Sequence, residues 1–349
     1  MSFIRRSSSF RVMVAAAGTA LGLLAAPASA NDFYAGKQIS MIVPSGVGGG
    51  YDLYGRFVAR HMQRHIPGTP AIIVRNMPGA GGVAAANHLY SVAARDGLHM
   101  GIFQNTITLN QVTKSNVVKF DVREFGWIGN AAAASSICAF GGDKKDAPIK
   151  DIFTREIVLG ASSGSVKMVP LLLNSLAATK FKVTAGYQST SNVTLAMERG
   201  EIDGLCGWSW DGARVNAKDM LARGVAKVQL DIAVEPQPEL VEMKVPFLMD
   251  MLPDGENKQV LNAILTTQLY NRPFGTTPGV PADRLAALRS AFEKIGTDRE
   301  AMAEADKIGL DFTYMSPARI RELISIALDA PQRIQDRMAE ELRLAGFGG

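Results

Sequence analysis

The stretch Ile39 to Met62, ISMIVPSGVGGGYDLYGRFVARHM, most constrains how this chain can fold. Strand-type apolar residues (Ile39, Met41, Ile42, Val43) stop at Pro44-Ser45-Gly46. Gly48-Gly49-Gly50 then lead into a helical pattern with Leu53, Phe57, Val58 and Met62 on one face. A helix start exposes up to four unpaired N–H groups and the positive end of the dipole, and glycines let a ligand approach the backbone. A strand, glycine loop and helix in that order are therefore suited to holding an anion. Asp52 has the residue type of an N-cap, where its carboxylate takes up one of those donors. The plainer alternative is a tight strand-to-helix turn of the kind any α/β protein contains.

With 349 residues, 47% hydrophobic and 20% charged, the chain is globular in composition and long enough for two domains. Residues 1–30 read as a secretory signal peptide: Arg5, Arg6 and Arg11 precede the apolar run Val12 to Leu24, and Ala28-Ser29-Ala30 fits cleavage after Ala30. That run is shorter than the roughly 20 residues of a membrane-spanning helix. Ser7-Ser8-Ser9 after Arg5-Arg6 fits the twin-arginine route poorly, which favours general secretion into the periplasm. Loss of three arginines leaves 34 Lys+Arg against 33 Asp+Glu, so the sequence pI of about 9.0 overstates the basicity. No basic run alternates with aromatic residues, so no nucleic-acid partner is expected. Cys138 and Cys206 lie in apolar, strand-like stretches; two buried free thiols are the favoured reading, with a disulfide between neighbouring strands as the alternative.

Strands and helices alternate beyond the opening unit. Ala71 to Val74, a turn at Asn76 to Gly79 and a helix from Gly82 to Val92 lead to a strand at Met100 to Phe103, which ends in Gln104-Asn105-Thr106. Gly126 to Phe140 is a low-charge stretch suited to crossing between lobes. A second set follows: a strand at Glu156 to Leu159, the turn Gly160-Ala161-Ser162-Ser163-Gly164-Ser165, and a helix from Val166 to Ala178. Further strands are expected at Phe181 to Thr184 and Ile202 to Trp208, with the polar loop Tyr187 to Ser191 and a helix at Asn192 to Arg199 between them. Val225 to Ala233 leads back to the first lobe, and the last third is helical: 257–269, 282–295, 298–308 and 317–344, broken at Pro331. The alternation implies an α/β protein with mainly parallel sheets: lobe 1 from 31–134 and 229–349, lobe 2 from 135–228. The loops Pro44 to Asp52 and Gly160 to Ser165, each between a strand and a helix, would clamp a small anion from both sides of a cleft.

Three motifs invite other readings. Gly160-Ala161-Ser162-Ser163-Gly164 matches the G-x-S-x-G nucleophile elbow, but His61, His65, His88 and His99 all precede Ser162, the reverse of the hydrolase order. Gly79-Ala80-Gly81-Gly82-Val83-Ala84 fits a dinucleotide fingerprint, yet Pro78 sits ahead of it and it follows the second strand; the Gly48 loop has Tyr51 where a third glycine belongs. His61 and His65 have metal-ligand spacing on a helix but no third ligand nearby, and adjacent Arg60 and Arg64 favour a solvated polar face. Neither cofactor nor metal is expected.

Three sequence blocks then carry a resemblance. They are Ile42-Val43-Pro44-Ser45 with Gly48-Gly49, Asp52 and Arg56; Val74-Arg75-Asn76-Met77-Pro78-Gly79-Ala80-Gly81-Gly82; and the ordered series Asp96-Gly97, Ser162 to Ser165, Tyr187-Gln188-Ser189, Gly200 to Gly204 and Gly279 to Ala282. In these the chain resembles the extracytoplasmic solute receptors of the tripartite tricarboxylate transporter (TTT) family, the TctC or Bug proteins. The resemblance implies a two-lobed, type II periplasmic-binding-protein-like fold, each lobe a mainly parallel sheet flanked by helices, joined by crossing strands. It implies a non-enzymatic monomer that closes on a small carboxylate and delivers it to a membrane permease, or alternatively reports it to a sensor kinase. By position, the ligand set is Ser45, Gly48, Gly49, Asp52, Gln104, Asn105 and Thr106 in lobe 1, and Ser162, Ser163, Gly164, Ser165, Tyr187 and Ser189 in lobe 2. The resemblance implies a carboxylate held by backbone amides and waters rather than by an arginine. Tyr51 and Trp208 depart from the family pattern; both are candidates for lining a pocket for a flat or longer ligand, although core packing is the favoured reading of Trp208.

Overall fold

The computed structural model describes Met1 and residues 33–162 and 164–347; the expected signal peptide and its cleavage point lie outside the described residues. Among the described residues ten strands are formed: β1 (Gln38–Val43), β2 (Ala71–Asn76), β3 (His99–Ile102), β4 (Gly126–Asn130), β5 (Ser136–Gly141), β6 (Ile157–Ala161), β7 (Phe181–Ala185), β8 (Gly204–Ser209), β9 (Ala226–Ile232) and β10 (Pro273–Thr276). They make two five-stranded sheets, ordered β2-β1-β3-β10-β4 and β7-β6-β8-β5-β9. Apolar residues on both faces of β1 require cover on both sides. Ile39, Met41 and Val43 pack with Phe57, Val58 and Met62 of helix 50–62, while Ile42 packs with Ala86 and Leu89 of helix 83–91 and with Trp127.

Both sheets are mixed and, as expected, mainly parallel: in each, four strands run in one direction and one runs against them. β1 runs parallel to β2 and β3, but β10 lies antiparallel between β3 and β4. In the second sheet β6 is parallel to β7 and β8, and β5 is antiparallel to β8 and β9. The cause is the route of the chain. β4 ends at Asn130, and after five intervening residues β5 begins with Ser136 paired to Ser209 and Ile232, the last residues of β8 and β9. β10 likewise enters at Pro273, opposite Asn130. A strand that arrives from the other lobe at the strands' carboxyl edge must run away from that edge, against its neighbours. The carboxyl edges of both sheets therefore meet at the crossing segments, which is where open α/β sheets bind ligands.

The division expected at residue 228 does not match the packing. β9 continues the second sheet to Ile232. Helices 256–265 and 332–344 place Val260, Leu261, Ile264, Ile334, Met338 and Leu342 in one cluster with Leu159, Val169 and Leu173 of the second lobe. They complete the cover of helix 165–176, whose apolar residues also pack on Cys138, Leu159 and Cys206 of the second sheet. Pro331 separates helices 317–328 and 332–344, as the sequence requires.

Cys138 and Cys206 are cross-strand partners on β5 and β8 and form a disulfide, with Cα atoms 4.0 Å apart. This corrects the favoured reading of two free thiols: both fall at one register position of an antiparallel pair, which sequence spacing does not reveal. Near the cleft end of β9, Asp231 is 1% exposed. Its Oδ2 accepts the Gln237 N–H at 3.1 Å, while Oδ1 has no partner among the described residues. Burial pushes its carboxyl up to about 6, with the Gln237 amide opposing.

Two predictions follow from these features. Replacing both cysteines by alanine frees a loop of 68 residues in the unfolded chain and should lower the unfolding free energy by about 2–4 kcal/mol, read from urea titration. Because Asp231 is raised above its unfolded value of 3.8, the folded state holds its proton more tightly and stability should fall as pH rises from about 4 to 6. Asp231→Asn should remove that slope and add on the order of 2 kcal/mol at pH 7, which melting curves across this range would detect.

Candidate functional site

The first-lobe loops interlock around one carboxylate. Helix 50–62 begins at Gly50, with Gly49 as N-cap and no side-chain cap bond. Asp52 is thus in the first turn rather than at the N-cap, because the glycine run lets the helix start ahead of it. Its carboxylate accepts the Gly48 N–H at 2.8 Å, Arg56 Nε at 3.0 Å and Asn76 Nδ2 at 2.8 Å. Asn76, at the end of β2, also donates to the Ser45 carbonyl at 2.9 Å. Asp52 is 2% exposed. Burial alone would raise its pKa, but the donors Arg56, Gly48 and Asn76 hold it down to about 2. The acid is consumed in shaping the loop. The amides of Gly49, Gly50 and Tyr51, by contrast, have no acceptor among the described residues.

Two further contacts draw in the loop after β3. The Tyr51 hydroxyl lies 3.3 Å from Asn105 Oδ1 and accepts the Asn105 N–H at 3.2 Å. Gly82 has φ +92°, and a Cβ there would stand 2.5 Å from Cγ of Gln104. Only glycine lets the turn after β2 lie this close. Ser45, Gly48, Gly49, Tyr51, Asp52, Gln104 and Asn105 are thereby brought together, and Thr106 follows as the N-cap of the short helix 107–112.

In the second lobe Gly164 is the N-cap of helix 165–176, with Ser162 half-buried before it and Ser165 exposed as the first helical residue. Ser163 lies outside the described residues. The helix start rests on β8: a Cβ on Gly207, whose φ is +72°, would lie 2.2 Å from the Ser165 carbonyl oxygen. Tyr187 is half-buried against the cluster of Val193 and Met197. Ser189 caps helix 190–198, accepting the Asn192 N–H at 3.3 Å and donating to Asn192 Oδ1 at 2.8 Å. Trp208 is corrected as a pocket residue: it is 4% exposed, with Ile137, Leu205 and Met197 around it, because its place on a central strand turns it into the core.

His61 and His65 face carboxylates. Their Nε2 atoms lie 2.8 Å from Glu304 and Asp298, tying the end of the first helix to helix 299–308. His61 is buried against the Phe57 ring, not on the expected solvated face. No hydrogen bond joins Ser162 to a histidine among the described residues. Sequence reasoning missed Asn76 as the brace of the first loop, although it stands inside the quoted block Val74 to Gly82. It also missed Arg272, whose guanidinium lies 4.3 Å from the Tyr51 ring centroid and 5.1 Å from that of Tyr54. The strand that positions Arg272, PFGT, is four residues long and contains both proline and glycine, so it gives no periodic signal.

Strand-end loops on two sheets, meeting where the chain crosses between lobes, define the two-lobed solute-binding fold. More narrowly, the chain has the fold of the TctC-type solute-binding proteins. A TctC solute-binding protein from Polaromonas superposes with TM-score 0.66 at 16% identity, covering 89% of this chain and 99% of its own. An R. palustris protein solved with adipate gives TM-score 0.58 at 14% identity, over 89% and 98% of the two chains. MatC of Rhodopseudomonas palustris, solved with malate, gives 0.54 at 17% identity, over 88% and 99%. A curated relative, the UPF0065 protein in gbd 5'region of Cupriavidus necator, is 34% identical over 133 residues; the match spans 38% of this chain and 39% of that protein. No family model matches the chain.

Asp52→Ala leaves three donors without their acceptor and should cost about 1–3 kcal/mol of stability. Because the folded-state pKa is lowered from 3.8 to about 2, this contribution is full above about pH 4 and disappears as pH falls towards 2. Melting curves of wild type and variant should therefore converge at the acid end.

Proposed function

We propose that the protein is a periplasmic receptor that captures a small carboxylate and delivers it to a TTT-type membrane permease, acting as a monomer and performing no chemistry on its ligand. The observation that carries this reading is the pair of helix starts, at Gly49-Gly50 and Gly164-Ser165, on the carboxyl edges of two sheets that meet at the crossing segments. In the first of them the amides of Gly49, Gly50 and Tyr51 are free to receive an anion. Ligand contacts are assigned to these amides and to Ser45, Gln104, Asn105, Thr106, Ser162, Ser163, Gly164, Ser165 and Tyr187, with Asp52 and Ser189 shaping their loops. Binding draws the lobes together about residues 131–135. Small dicarboxylates come first among candidates, since two proteins of this fold were solved with adipate and malate.

A thermal-shift screen against aliphatic di- and tricarboxylates, acidic amino acids and aromatic acids tests the reading. A ligand at 100 times its Kd should add roughly 2.7 kcal/mol to stability. A melting point unmoved by every acid, in protein freed of any copurified ligand by unfolding and refolding, sinks the proposal. Gly49→Val is the sharper variant. At φ −80° a Cβ there meets nothing closer than 3.8 Å, so the fold should keep its melting temperature while affinity drops at least about 10-fold.

A further inference from the structure

Arg272 is held for a task that no group of the described residues performs with it. Its backbone is fixed at the crossing: its N–H donates to Asn130 Oδ1 at 2.8 Å, and its carbonyl accepts the Ala131 N–H at 3.0 Å. The side chain stacks on Tyr51 and Tyr54 of helix 50–62. Yet the guanidinium has one protein acceptor among the described residues, the Asn271 carbonyl, 2.8 Å from Nη1. Nε is buried without a partner among the described residues. Nη2 reaches the first residue of the helix: a Cβ built on Gly50 would stand 3.2 Å from it. A guanidinium here faces the positive end of a helix dipole, beside the unpaired amides of Gly49, Gly50 and Tyr51. Cation and dipole repel each other unless an anion lies between them, and a stacked, always-charged fork is shaped for a carboxylate.

We propose that Arg272 is a ligand-binding residue: its Nε and Nη2 donate to the same carboxylate that the first-lobe helix start receives. This rests on the receptor reading and deepens it, because an arginine replaces part of the amide-and-water cradle that the family resemblance implies. It also links ligand to hinge, since Arg272 is the residue whose backbone joins β4 to the returning strand.

The test titrates adipate, malate and citrate into wild type, Arg272→Gln and Arg272→Lys by calorimetry, alongside melting of each protein without ligand. For whichever acids wild type binds, Arg272→Gln should weaken affinity about 10- to 100-fold, with the ligand-free melting temperature little changed. Arg272→Lys, which keeps the charge and loses the fork, should fall between. An Arg272→Gln protein that binds as tightly as wild type, or whose loss of binding is matched by a fall in ligand-free melting, overturns the inference and leaves the receptor reading standing. If Arg272→Gln does not fold, Arg272→Lys decides, and undiminished affinity there overturns the inference. A wild type that binds none of the acids overturns both.

Discussion

One buried amide holds the architecture together. Asn130, the last residue of β4, is fully buried. It exchanges backbone hydrogen bonds with Met315, donates from Nδ2 to the Ala132 carbonyl, and accepts the Arg272 N–H on Oδ1. The strand leaving the first sheet, the segment crossing to the second and the strand coming back are thus tied at a single side chain. Burying so many polar groups is tolerable only because each has a partner, and losing the amide would orphan several at once. From that knot the two sheets extend with their carboxyl edges facing it. The antiparallel β5 and β10 are the geometric consequence of entering at that edge.

The site loops inherit their position from the knot and their shape from local bonds. Asp52, Asn76 and Gly48 fix the first loop without using the helix-start amides, which stay available. In the second lobe Gly207 allows the helix start to settle on β8. Each lobe presents backbone donors on a rigid element, the arrangement that holds a small anion at little cost in side-chain ordering.

Much of this was legible in the sequence, and the reasons differ by element. β1 and the helix after it are strongly patterned because β1 is buried on both faces, and the glycines between them announce the loop. The helices from Ala282 to Leu344 carry clear periodicity and a proline break. What escaped depends on distant partners. PFGT is a strand only because β3 and β4 stand on either side of it. The disulfide needs the β5–β8 register, and the docking of helices 256–265 and 332–344 needs helix 165–176 already in place on the second sheet. In the site, glycine and serine positions were readable as loop chemistry. Trp208 was ambiguous because indole suits pocket and core alike, and Arg272 was silent because a single arginine has no pattern.

The disulfide decides where bending can occur. Cys138 is the third residue of β5, the strand that arrives from the first lobe, and it is covalently joined to β8, whose end supports the second-lobe loops. β5 therefore cannot slide against β8, and the second sheet behaves as one piece. The crossing at 131–135 and the return ahead of β10 are left as the places where the chain can turn without breaking a sheet.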